Sequence, residues 1–435
     1  MKKQKILLFA ALLMLTLSGC VFGIDGGETL YRLPRLPSEY ESLERQIDEV
    51  LASGAEHAAP TSGNNLQSVQ MVDLDGDGTE EAVAFFRKND DEKPMKIYIF
   101  RARDDAYSLA YTIEGTSDSI YSIAYNDLNG DGYRELLVGY RSNLEVQGLS
   151  VVDLSTGEPK PLLTTGYSRY ISCDMDGSGK QELIVIRSDE NNLAVADYYG
   201  WEDNTLALQT TIGLSMTAAE VKRLTSGSLA NEETALFITG TRSEDGEITD
   251  VLTARDGTLQ RVGAEAVAVS EISRFASLYP TDINNDGITE VPNPTPFPKT
   301  DPEGETYYRI FWQQYDEKGK ATTVYRTLHN MQDGWCLVLP EEWDDTVSVL
   351  RQSTAGGSTV VFYRYGDADL TPFMEISSFT GDAREYQAVR EGRFLLMQQV
   401  DATYAALLSD PDMMTEETLR ESFSLLTAEW TTGEN

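Results

Sequence analysis

Four short stretches carry acidic side chains at a spacing that can do chemistry. DLDGDGTEE at residues 73–81 alternates carboxylates with turn-forming glycines, and the pattern returns as DLNGDGYRE at 127–135, DMDGSGKQE at 174–182 and DINNDGITE at 282–290. In a tight turn the side chains at positions 1, 3 and 5 converge on one centre, glycine at position 6 permits the reversal, and the carbonyl of position 7 adds an oxygen. Such a set of hard oxygens suits calcium, which takes six to eight of them. A calcium loop between helices would need an acidic residue at position 12, where this chain has Ala84, Val138, Val185 and Asn293. Glutamate stands instead at position 9 of every copy, and the flanking segments are apolar and β-branched.

The loops must be held by a repeating element. A decayed fifth copy, with Thr225 as its first position and Glu233 as its ninth, gives intervals of 54, 47, 51 and 57 residues between successive loops. Within the first unit the segments "LQSVQMV", "AVAFF", "MKIYIF" and "YSLAYTI" are short, β-branched or aromatic, and separated by polar turns, which predicts four antiparallel strands. The second and third units repeat the plan. Tandem units of about fifty residues with four strands each are the signature of propeller blades. The expected fold is therefore mainly β: a β-propeller of about five four-stranded blades, six or seven if later strands join the ring, plus a small C-terminal α+β module.

This pattern resembles the hairpin calcium loops of FG-GAP and VCBS repeats, over roughly residues 65 to 330. The resemblance implies up to four structural calcium ions. It assigns the first to Asp73, Asp75, Asp77, the Thr79 carbonyl and Glu81, and the second to Asp127, Asn129, Asp131, the Tyr133 carbonyl and Glu135. The third would use Asp174, Asp176, Ser178, the Lys180 carbonyl and Glu182, and the fourth Asp282, Asn284, Asp286, the Ile288 carbonyl and Glu290. Family loops commonly place aspartate at position 9, where this chain has the longer glutamate. Ser178 predicts weaker binding in the third loop, and the Thr225 copy, which lacks carboxylates at positions 1, 3 and 5, is read as metal-free.

The amino terminus sets the expected compartment. MKKQK is a basic leader followed by twelve apolar or small residues, Ile6 to Leu17, too short a run to span a bilayer. The stretch LSGC, ending at Cys20, resembles the lipobox of bacterial lipoproteins. That resemblance implies a signal peptide over 1–19, lipidation of Cys20, and an extracytoplasmic chain anchored to the bacterial cell membrane. A formal net charge of −36 repels phosphate backbones, so nucleic acid is not an expected partner, while cations are attracted. Cys173 and Cys336 could pair or remain buried thiols. With only His57 and His329 in the chain, a zinc site built on several histidines is excluded.

Residues 20–60 read as a lipidated tether and one helix, with Ser38 and Glu41 as a capping box and Tyr40, Leu43, Ile47 and Leu51 on one packing face. The propeller is placed at 61–330, with the proline-rich "VPNPTPFPKTDPEGE" interrupting the second strand of its last unit. The C-terminal module is placed at 331–435. It begins with the strand "WCLVLP", continues through "TVSVLR", "TVVFYRY", "FMEISSF" and "RFLLMQQV", and ends in a helix from about Thr415 bearing Leu419, Phe423, Leu426 and Trp430 on one face. The function expected is that of a binding or scaffolding module for protein or glycan partners. The alternative is a cell-surface glycan hydrolase or lyase using channel carboxylates, although no carboxylate pair stands apart from the loops, and no catalytic residue is assigned.

Overall fold

The computed structural model describes residues 38–426 apart from 104–105, 143–146, 242–245, 264–267, 271–277, 300–302, 304, 355 and 366–369. The leader, Cys20 and the tether up to residue 37 lie outside the described residues, as does Trp430. Helix α1 (Ser38–Ala52) comes first. The first sheet follows, built from β1 (Glu56–His57), β2 (Val69–Val72), β3 (Glu81–Arg87), β4 (Met95–Arg103) and β5 (Ala106–Gly115). Here β1 and β2 share one edge of β3 and together make the first strand of the blade. The second sheet is β6 (Ser119–Asn126), β7 (Glu135–Arg141), β8 (Gln147–Asp153) and β9 (Lys160–Gly166); the third is β10 (Arg169–Cys173), β11 (Glu182–Ser188), β12 (Ala194–Glu202) and β13 (Thr205–Gly213). Both are antiparallel meanders in chain order. The fourth is β14 (Val221–Ser228), β15 (Thr234–Thr241), β16 (Glu247–Arg255) and β17 (Thr258–Arg261), with β18 (Ala268–Ser270) also on β16.

The fifth sheet contains β19 (Val291–Pro296), β20 (Tyr308–Tyr315), β21 (Ala321–Asn330) and β22 (Trp335–Val338). The proline-rich segment does not interrupt its strand, because β19 pairs with β20 from Val291 to Pro296. Pro292, Pro294 and Pro296 carry no N–H to donate, and the strand expected before the loop survives among the described residues as one bridge, Thr281 to Glu290.

The sixth sheet has β23 (Val347–Thr354), β24 (Gly357–Arg364), β25 (Thr371–Thr380), β26 (Phe394–Gln398) and β27 (Ala402–Leu408), in the order β23-β24-β25-β27-β26. A short helix α2 (Arg384–Ala388) lies between β25 and β26, and α3 (Glu416–Ser422) follows β27. Two expectations are corrected here. "WCLVLP" is not the first strand of the C-terminal module, since Trp335–Val338 pairs with β21. The last helix stops at Ser422, and Phe423 to Leu425 form β28 on the edge of β22.

Burial explains why the second strand of each blade reads as a continuous apolar run. Neighbouring sheets pack face to face, so both sides of β3, β7, β11 and β15 are covered over most of their length. The fourth strands β5, β9 and β13 alternate and meet solvent. One apolar layer joins the first and second sheets through Val83, Phe85, Ile97, Ile123 and Leu136, and similar layers join each following pair. The last couples the fifth and sixth sheets through Trp335, Leu337, Val349, Phe362, Leu419 and Phe423. The fold is thus mainly β, a series of propeller-type blades with an α+β region at its C-terminal end. The other face of the first sheet, carrying Ala84, Phe86 and Phe100, is covered by α1 through Leu43, Tyr40, Ile47 and Leu51.

Candidate metal centre

The first three loops join the first and second strands of a blade, the fourth is closed by the Thr281–Glu290 bridge directly before β19, and all four share one wiring. The position 9 glutamates Glu81, Glu135, Glu182 and Glu290 are buried, and one oxygen of each accepts the backbone N–H of position 2: Leu74 at 2.8 Å, Leu128 at 2.8 Å, Met175 at 2.8 Å and Ile283 at 3.0 Å. The N–H of position 6 donates to the position 1 aspartate, from Gly78 to Asp73, Gly132 to Asp127, Gly179 to Asp174 and Gly287 to Asp282, at 2.8 to 3.1 Å. The N–H of position 5 reaches the side chain at position 3, namely Asp75, Asn129, Asp176 or Asn284. Thr79, Tyr133, Lys180 and Ile288 at position 7 donate to Asp77, Asp131, Ser178 and Asp286, which fixes their peptide groups within the turn.

Positions 4 and 6 both adopt positive φ: Gly76 and Gly78 at 70° and 86°, and in the fourth loop Asn285 and Gly287 at 61° and 86°. Asparagine is the residue that best tolerates this conformation after glycine.

The oxygens converge in three loops. Asp73, Asp75 and Glu81, then Asp174, Asp176 and Glu182, then Asp282, Asp286 and Glu290 each bring ligand atoms within 4.8 Å of one another. A purely oxygen donor set with several carboxylates fits a hard divalent cation. Asp73 adds a specific sign of fit, since its Oδ1 is buried without a hydrogen-bond partner. In the second loop Asn129 donates its amide to Glu135 Oε1 at 3.2 Å. Burial pushes the Glu135 and Glu182 carboxyls up to about 7, and raises Glu81 and Glu290 as well, despite the backbone N–H each accepts. Ionised carboxylates crowded in this way are relieved by a cation.

The decayed copy is not a loop of this kind. Thr225 lies inside β14, opposite Phe237, and Ser228 pairs with Thr234. Only Leu229 to Glu233 connect the two strands, and Glu233 is held by Arg255 at 2.7 Å rather than lying among aspartates. Two residues that sequence reasoning missed enter the other loops from a neighbouring strand: Arg101 reaches Asp75 and Glu81, and Gln314 reaches Asp286 and Glu290. Cys173 and Cys336 are both buried free thiols.

The loops also touch one another. The N–H of Arg134 donates to the Leu74 carbonyl at 2.8 Å and that of Gln181 to the Leu128 carbonyl at 2.6 Å, so position 8 of one loop grips position 2 of the loop before it. The first three loops form one row.

No protein-family profile matches this chain. No curated protein matches it either. Among solved structures, a Lactobacillus plantarum protein is similar at 9% identity and a TM-score of 0.29, over 72% of this chain and 86% of that one. TolB from Acinetobacter baumannii is similar at 10% identity and a TM-score of 0.25, over 65% of this chain and 60% of that one. An exo-beta-1,3-galactanase from Phanerochaete chrysosporium is similar at 11% identity and a TM-score of 0.26, over 78% and 81%. Superpositions at this level carry no argument about activity.

Proposed function

We propose that the loops bind calcium and that the chain is a calcium-stabilised binding module on the outer side of a bacterial membrane, anchored through Cys20. The observation that carries the metal reading is the common wiring: four loops in four blades hold the position 1 carboxylate and the position 9 glutamate by the same backbone N–H groups. Side-chain oxygens of positions 1, 3, 5 and 9, with the carbonyl of position 7, would hold each ion, in keeping with the resemblance to FG-GAP and VCBS repeats. Bound calcium supplies charge neutralisation to carboxylates that otherwise repel.

The role this supports is structural. At calcium ten times its dissociation constant a site stabilises the fold by about 1.4 kcal/mol, and four sites by about 5 to 6 kcal/mol, comparable with the stability margin of a domain. Rigid blades can then present their connecting loops to a protein or glycan partner. Calorimetric titration of the chelator-washed chain with calcium tests the metal reading: saturable uptake of three or four ions is expected, and absence of binding contradicts it. Recovery of an envelope partner with calcium but not with chelator tests the binding role, and turnover of a glycan by the purified chain would contradict it.

A further inference from the structure

Glu81, Glu135 and Glu182 begin the second strand of their blades and Glu290 directly precedes β19, and the residue beside each on the third strand differs from blade to blade. The Ala82–Phe100 pair sets Glu81 next to Arg101, and Leu136–Val152 sets Glu135 next to Asp153. Leu183–Tyr199 sets Glu182 next to Gly200, and Val291–Gln313 sets Glu290 next to Gln314. One ladder position therefore offers a cation, an anion, a hydrogen atom or a neutral amide to four otherwise similar loops.

In the first loop that position is filled by a permanent charge. Arg101 places Nε 3.2 Å from Glu81 Oε1 and Nη2 2.9 Å from Asp75 Oδ2, and its guanidinium lies over the Tyr111 ring at 5.6 Å. Two of the three carboxylates gathered there are thus already engaged by a positive group that cannot lose its proton. Gln314 engages two carboxylates of the last loop, Glu290 at position 9 and Asp286 at position 5 rather than position 3, at 2.8 Å each but brings no charge. Gly200 brings neither charge nor donor to the third loop. The fourth blade shows the same device carried further: its five-residue turn has no aspartate, and Arg255 holds Glu233 from the third strand, beside the Asn231 amide within the turn.

We infer that Arg101 is a tethered counter-cation of the first loop, so that this loop binds calcium more weakly than the third, whose cross-strand neighbour is Gly200. The inference rests on the calcium reading of the loops. An ion entering the first loop must give up or share two carboxylates held by charge-assisted hydrogen bonds and sit beside a like charge, a penalty equivalent to about ten- to a hundredfold in affinity. It reverses the ranking expected from Ser178, because Arg101 adds a positive charge and also occupies oxygens of two carboxylates, whereas Ser178 removes one carboxylate.

Calcium titration of the full chain against a competing chelator dye tests this, with Arg101→Gln, Arg101→Lys and Gly200→Arg beside the parent. Arg101→Gln is expected to tighten one site by about tenfold or more, whereas Arg101→Lys, which keeps the charge but loses the two-pronged contact and the stacking on Tyr111, falls between parent and Arg101→Gln. Gly200→Arg is expected to weaken one site by a similar factor. A side chain there first meets the flexible Gln209, at 3.1 Å from the added Cβ. A parent that binds calcium with an isotherm unchanged in both Arg101→Gln and Gly200→Arg overturns the inference alone. A parent and variants that bind no calcium overturn it together with the proposed function. Should Arg101→Gln fail to fold, Gly200→Arg decides by itself.

Discussion

The carbonyl oxygen of Leu74 accepts the backbone N–H of Arg134 at 2.8 Å, and through that bond the first acidic loop is fastened to the second. Leu74 is also the residue whose own N–H is held by Glu81. One residue therefore links the glutamate of a blade to the backbone of the next, its N–H held by the first and its carbonyl by the second, and the same arrangement at Leu128 links Glu135 to Gln181.

Close approach of these loops gives a first prediction. A Cβ on Gly76 would sit 2.7 Å from the carbonyl oxygen of Gly132, while one on Gly78 meets nothing within 4 Å, and both residues have positive φ. Gly78→Ala should cost about 1 to 2 kcal/mol for its left-handed backbone. Gly76→Ala should cost at least about 1 kcal/mol more, because backbone must move. Urea unfolding of the two variants measures the difference, and equal losses would mean the loops do not touch.

Glu182 separates the two duties of position 9. Glu182→Ala leaves the buried Met175 N–H without its acceptor and should lower stability by about 1 to 3 kcal/mol even in chelator. Glu182→Gln keeps an acceptor and should recover most of that loss while still weakening calcium binding. Unfolding in chelator and calcium titration of both variants check the pair.

His329 contributes a pH dependence of its own, opposite in sign to that of the buried loop glutamates. Burial holds its imidazole down to about 4, so the folded chain keeps it neutral while the unfolded chain protonates it near 6.5. The unfolded state then binds more protons, and stability present above pH 6.5 is lost as pH falls from 6.5 toward 4, by up to about 3 kcal/mol. His329→Phe, compared with the parent in saturating calcium, should flatten that slope. An unchanged slope would show that the ring is not sequestered.

Helix α1 is predicted to be part of the core. Leu43 is buried against the first sheet, Tyr40 stacks on Tyr107 with ring centroids 6.2 Å apart, and Ser42 Oγ accepts the Tyr107 N–H at 2.7 Å. Leu43→Ala should cost about 2 to 3 kcal/mol. A substitution there with no effect on the melting temperature would place the helix off the sheet.

Much of this architecture was legible because local and tertiary signals agree in it. The nine-residue loops, the strands on either side and the amphipathic helix at Leu43 all follow from spacing, and the continuous apolar runs mark strands covered on both faces. Legibility failed where pairing overrides local pattern. Leu419, Phe423 and Leu426 have helical spacing, yet Phe423 is drawn into a strand on Trp335–Leu337. "ATYAALL" carries the alanine of a helix and gives no clear strand signal, but β27 is inserted between β25 and β26. Glu233 stands at position 9 counted from Thr225, as in the acidic loops, but the turn before it is shortened to five residues and Thr225 stays in the strand. Arg101 and Gln314 could not be found from spacing, since their distances along the chain from Glu81 and Glu290 differ, and only the strand register brings each to its loop.

Thermal unfolding of the full chain in millimolar calcium and in excess chelator, with bound metal quantified on the same samples, bears most directly on the central claim. Metal holding the row of loops together predicts calcium in the native sample and a melting temperature higher by about 5 °C or more than in chelator. Identical melting curves with no metal bound would contradict it.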